Sequence, residues 1–90
     1  MLVRRHVYYS GSVQGVGFRY TVRSLASGRD LGGFVRNLPD GQVELVAEGP
    51  EADVVGLLAD VAAEMGAYIR KAQVLEEMPE GAFKTFGVAF

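Results

Sequence analysis

The stretch VRRHVYYSGSVQGVGFRYTVRSLASG, residues 3–28, passes through three kinds of sequence in succession. Residues 3–10 are rich in β-branched and aromatic side chains and predict a strand. Residues 11–17 carry Gly11, Gly15 and Gly17 and predict a loop. From Phe18 to Gly28, the apolar residues Phe18, Val22, Leu25 and Ala26 fall at i, i+4, i+7 and i+8, one face of a helix. Gly28 and the pair Gly32-Gly33 end that helix.

Outward from this unit, residues 33–38 predict a second strand, and Pro39-Asp40-Gly41 is a strong turn signal. Residues 42–48 follow with Val43, Leu45 and Ala47 alternating against Glu44, Val46 and Glu48, so a hairpin is expected. Gly49-Pro50 breaks the chain before a second helix at residues 51–65, with Val54, Leu58, Val61 and Met65 as its apolar stripe. Glu51 and Asp53 suit the positive end of that helix. Residues 69–76 predict a fourth strand, and Phe86, Val88 and Phe90 alternate in a short fifth. The order β-α-β-β-α-β plus a final strand is the ferredoxin-like split βαβ arrangement of the α+β class. It implies one domain over residues 1–90, an antiparallel sheet with both helices on one face, and Val22, Leu25, Val54, Leu58 and Val61 buried. It also brings the glycine loop, Arg19 and Asn37 to one edge of the sheet, although Arg19 and Asn37 lie far apart in sequence.

Composition narrows the chemistry. The chain is 49% hydrophobic and 22% charged, as in ordinary globular proteins. It has no cysteine and one histidine, His6, which excludes disulfides, a thiol nucleophile and a Cys/His zinc cage. The longest apolar stretch, residues 54–69, is broken by Asp60 and Glu64, so no membrane span is expected. The basic N-terminus lacks the apolar run of a secretory signal, and a cytoplasmic protein is expected. Charge is divided unevenly. Residues 1–39 carry six arginines and Asp30, a sum of +5, while residues 40–90 sum to −7. Two readings stand: an anion site built from arginine, or a patch neutralised by the acidic half on folding.

Gly15 and Gly17 permit positive φ, which turns successive backbone N–H groups into one concavity. The start of the following helix adds its free N–H groups and the positive end of its dipole, a combination suited to phosphate. Arg19 sits in that first turn, where a cation opposes the dipole by roughly 0.3–1 kcal/mol. A residue placed against local preference points to function. Dinucleotide and Walker A loops do not fit: Gly15-Val16-Gly17 leads to Tyr20, and no lysine precedes Lys71. His6 has no triad around it and reads as a surface residue. Taken alone, Asn37 reads as the residue opening the Pro39-Asp40-Gly41 turn.

Gly11-Ser12-Val13-Gln14-Gly15-Val16-Gly17-Phe18-Arg19 resembles the first signature of the acylphosphatase family, G-x-V-Q-G-V-x-F/Y-R. Gly33-Phe34-Val35-Arg36-Asn37, with Gly41, Val43 and Gly49 beyond it, resembles the second at the same spacing. The likeness covers nearly the whole chain. It implies that the amides of Val13, Gln14, Gly15, Val16, Gly17 and Phe18, with Arg19, hold a phosphate, and that Asn37 orients an attacking water. It implies no metal and no cofactor. Phe34 stands where a tryptophan is often found, and Met65-Gly66-Ala67 where Gly-Pro is common, which leaves the approach to the fourth strand open.

The residue inventory agrees with such a substrate. Hydrolysis of an acyl phosphate releases a carboxylate, already stable as an anion near neutral pH, so no general acid is required. The partner implied is a small-molecule acyl phosphate, with no nucleic acid and no membrane, and nothing in the apolar content demands more than a monomer. The alternative is a ferredoxin-like binding module for RNA or a small ligand, stacking bases on Tyr8, Tyr9 and Phe34. A second alternative is an idle acylphosphatase-like domain that serves as a partner surface.

Overall fold

The first predicted strand forms as β1 (Leu2–Gly11) in a computed structural model, which describes residues 1–89. Its alternation buries Val3, Val7 and Tyr9 on one face and turns Arg4, His6 and Tyr8 to the other. α1 (Phe18–Ala26), β2 (Gly32–Asn37), β3 (Val43–Pro50), α2 (Glu51–Met65), β4 (Ile69–Glu77) and β5 (Phe86–Ala89) follow in the expected order. The sheet runs β4-β1-β3-β2-β5. β1 and β2 each pair antiparallel with β3, and β4 pairs antiparallel with β1. Gly66–Tyr68 form a 3-10 turn that carries α2 straight into β4, and the Ser12 N–H donates to Tyr68 O at 2.9 Å. The approach to the fourth strand is therefore closed without proline.

The fifth strand, to which the sequence assigns no partner, completes a mainly antiparallel sheet, and one expectation, in α2, needs correction. β5 pairs parallel with β2, from Gly33↔Phe86 to Arg36↔Ala89, so the sheet is mixed. The reason is directional. β4 ends beside Arg4, at the edge where β2 begins, and a strand entering from that edge must run the way β2 runs. Phe90, expected as the last apolar position of this strand, lies outside the described residues. In α2, Leu57 rather than Leu58 is fully buried, together with Val54, Val61 and Met65. Val54, Leu57 and Val61 fall at spacings of three and four, on one line along the helix. Leu58 is half-buried and lines a cleft with Tyr9, Ile69 and Val74. Leu25 is also half-buried and packs on the margin of the core.

The helices cover one face only. Val22 of α1 and Val54, Leu57 and Val61 of α2 meet Val7, Val35, Val43 and Leu45 of the sheet in a single core. Each such fully buried side chain stabilises by about 1.5–3 kcal/mol. The other face is crossed by residues 78–85. There the Phe83 ring packs edge-on against Phe34 at 5.8 Å, and the Arg4 guanidinium lies 5.2 Å over it. Glu48 accepts the N–H groups of Glu80 and Gly81 at 3.1 and 2.6 Å, which holds this crossing segment to the sheet. β3 is consequently buried on both faces from Val43 to Gly49.

Candidate active site

Register defines the edge that matters. Val43, the first residue of β3, lies opposite Tyr9 of β1 and Asn37 of β2, so β2 ends level with it and β1 ends two residues beyond. Residues 12–17 leave β1 there and enter α1. Both ends of this loop are anchored: Val13 is fully buried, and Phe18, 2% exposed, sets its ring 5.2 Å from that of Tyr9. Gly15, Val16 and Gly17 between them are exposed. Gly15 has φ +78° and Gly17 φ +76°, and no atom lies within 4 Å of where either Cβ would project. The left-handed backbone, not crowding, is what calls for glycine here. Two such residues in close succession aim backbone N–H groups into a shared hollow.

α1 begins directly after this loop. Its first internal bond runs from the Thr21 N–H to Gly17 O at 3.0 Å. No side chain caps this end, and its first turn holds no acid. The N–H groups that an α-helix leaves without internal partners and the positive dipole end thus stand beside the glycine loop. Arg19, half-buried, occupies this same turn.

Asn37 is the half-buried last residue of β2. The turn after it is held by its own groups. Leu38 N–H donates to Gln42 O at 2.8 Å, Gly41 N–H to Leu38 O at 3.1 Å, and Gln42 N–H to Asp40 Oδ1 at 3.0 Å. These bonds hold the turn through residues 38–42. Gln14 supplies a feature that the sequence did not disclose. Its backbone was expected in the anion cradle, but its side-chain Nε2 donates to Leu38 O and Gln42 O, each at 2.8 Å. The glycine loop is thereby bound to the turn that follows Asn37. A long amide inside a glycine loop must find partners for several polar positions, but the sequence did not reveal which ones.

The charge asymmetry resolves residue by residue. Arg4 pairs with Glu48 and Glu77, Arg5 with Glu76, Arg29 with Asp60 and Arg36 with Glu44, so neutralisation by the acidic half accounts for these four. Burial pushes the Glu44 carboxyl up, but hydrogen bonds from Arg36 and His6 outweigh it and hold it below the usual carboxylate range. Burial likewise raises Glu48, and the Gly81 and Glu80 amides with Arg4 more than reverse this. Glu77 is lowered by hydrogen bonds from Arg4 and then His6. His6 lies on the face without helices, its ring nitrogens 2.7 Å from Glu44 and 2.9 Å from Glu77, and its ring stacks on Tyr8. That is a structural placement, away from the cradle. Tyr9 is buried, and Phe34 lies against Phe83, so these aromatics are engaged in packing. Among the described residues no three His, Asp or Glu side chains are grouped to hold a metal ion. Nor is any helix there long and apolar enough to cross a membrane.

Fold and edge together define a class: a ferredoxin-like α+β domain in which a glycine loop opens a helix at the edge where β2 ends. A family model of the acylphosphatases matches residues 5–88. An acylphosphatase of Gloeobacter violaceus is 46% identical over 88% of this chain and 86% of its own length. One of Syntrophotalea carbinolica is 44% identical over 98% and 97%. The crystal structure of acylphosphatase from Bacillus subtilis superimposes with a TM-score of 0.89 at 34% identity, covering all of both chains. The chain belongs to the acylphosphatase family and is a hydrolase acting on acyl phosphates.

Proposed function

We propose that the hydrolysis proceeds by in-line attack of water on phosphorus, with the phosphoryl group held by the amides of residues 13–18 and the Arg19 guanidinium, and the water oriented by Asn37. The observation that carries this reading is the joining of the glycine loop to the turn beside Asn37 at one sheet edge. Cradle amides and a forked guanidinium neutralise the phosphoryl oxygens where charge accumulates. The Asn37 side chain, with one acceptor and two donors, aligns the water without taking its proton. The departing carboxylate needs no acid, and a phosphate oxygen of the substrate accepts the proton from water. One O–P bond forms as the acyl O–P bond breaks, giving a carboxylate and inorganic phosphate. The net charge of −2 works against a polyanionic partner and supports reading the chain without nucleic acid.

Benzoyl phosphate turnover, measured beside a simple phosphomonoester, tests the reading. Hydrolysis of the first alone, inhibited by inorganic phosphate and lost in Arg19→Ala, is the expected result. Equal turnover of the monoester would overturn the leaving-group argument.

A further inference from the structure

We propose that Gln14 is a positioning residue for this hydrolysis: through its side-chain amide it sets where Asn37 stands relative to the anion cradle. The proposal rests on the roles given above to Arg19 and Asn37. A primary amide carries two N–H donors. The Gln14 Nε2 lies 2.8 Å from each of two carbonyl oxygens, Leu38 O and Gln42 O. Leu38 directly follows Asn37, and Gln42 directly precedes Val43, the residue opposite Asn37 in the ladder. The two acceptors therefore bracket the turn on the strand that carries the water-orienting residue.

The same two oxygens also close the turn. Gln42 O accepts from Leu38 N–H, and Leu38 O from Gly41 N–H. Each acceptor thus serves both the internal geometry of the turn and its attachment to the loop, and shared hydrogen bonds of this kind reinforce one another. A second tie runs the opposite way, from Gln42 Nε2 to Ser10 Oγ at 2.9 Å, at the end of β1 just before the loop. The loop binds the turn through Gln14, and the turn binds the strand before the loop through Gln42. By chain, cradle and Asn37 are connected only through the length of α1 and β2. The Gln14 amide is the side-chain tie that starts from within the loop itself.

Position matters because the reacting atoms must meet in line. A displacement of about 1 Å in such a site can cost on the order of 10²-fold in rate. The side chain has the shape and polarity for the task. Asparagine is one methylene shorter, methionine has similar length but no donor, and glutamate faces two carbonyl oxygens with an acceptor.

The experiment is a double-mutant cycle of Gln14→Met and Asn37→Ala. It reads kcat for benzoyl phosphate, the inhibition constant of inorganic phosphate, and the melting temperature. Gln14→Met should lower kcat by about tenfold or more and leave phosphate inhibition within about threefold, because the cradle is local to residues 13–19. In the Asn37→Ala background the same change should cost less than about twofold, since residues acting as a unit are not additive. An equal loss in both backgrounds, an unchanged kcat in Gln14→Met, or a proportional loss of phosphate binding overturns the proposal alone. Normal kcat in Asn37→Ala overturns the assignment of Asn37 and the proposal with it. Gln14→Glu provides a second arm that keeps the side-chain shape. Its kcat relative to the unsubstituted protein should rise toward acid pH, where a protonated carboxyl regains one donor; a pH profile parallel to that of the unsubstituted protein overturns the proposal.

Discussion

Replacing Asn37 with alanine separates a catalytic role from a structural one, because the structure predicts different sizes for the two effects. The residue is half-buried and ends β2, and its ladder position opposite Val43 is a backbone property that alanine keeps. The following turn is closed by bonds from Leu38, Gly41 and Gln42. The loss of stability should therefore stay within about 0.5 kcal/mol. In a domain of this size that is roughly 2–4 °C in melting temperature. Loss of a positioned polar group in a reacting site costs on the order of 10²–10³ in kcat, about 2.7–4 kcal/mol. Phosphate inhibition depends on the cradle and Arg19 and should hardly move. One sample of Asn37→Ala, assayed with benzoyl phosphate, titrated with inorganic phosphate and melted, yields all three quantities. A drop of 10 °C with normal kcat per folded molecule would mean that Asn37 serves the turn and not the water.

Arg19→Lys should not restore function: an ammonium lacks the planar fork, so phosphate inhibition should weaken by about tenfold or more and turnover should fall with it. A fully active lysine variant would remove the case for a forked contact. Leu57→Ala should destabilise by about 2–5 kcal/mol and Leu58→Ala by clearly less, as read from urea midpoints; equal losses would contradict the helix phase described above. Acid should unfold the protein through Glu44, Glu48 and Glu77, whose carboxyls are held below their usual range in the folded state. Their stabilisation is fully present above the ordinary glutamate pKa of roughly 4.3 and is lost as pH falls through the lower folded values. Urea midpoints that stay flat from pH 7 to pH 2 would refute it.

The order of elements was legible because each strand and helix carries its own periodicity, and because Gly28, Gly32-Gly33, Pro39-Asp40-Gly41 and Gly49-Pro50 mark the breaks. Burial of Val22, Val54 and Val61 followed from the same periods. Leu57-Leu58 was less readable: two adjacent leucines satisfy two helical phases, and only packing against the sheet selects one. The pairing of β5 depends on which edge β4 leaves the chain at, a property of the assembled sheet. At the candidate site, the glycine loop and Arg19 announced themselves by local chemistry. Asn37 did not, since an asparagine before a Pro-Asp-Gly turn has an ordinary explanation, and only the resemblance singled it out. The side chain of Gln14 was beyond reach for a different reason, because its acceptors are carbonyl oxygens that any residue at positions 38 and 42 would provide.

The strand order β4-β1-β3-β2-β5 also bears on how the chain is made. β1 lies inside the sheet although it is synthesised first. Its partners are distant: Leu2 pairs with Pro50, and Arg4 with Glu77. A topology so dominated by pairings remote in sequence folds slowly, on the scale of milliseconds to seconds. At roughly 5–20 residues per second of synthesis, β1 waits several seconds for β4. During that wait the edge of β1 that will take β4 has no partner strand, and an unpaired strand edge is a template for other chains. Arg4 and Arg5 sit on it. The two arginines that end in ion pairs on the finished sheet are, on the nascent chain, the charges that keep neighbouring polypeptides off its exposed first strand.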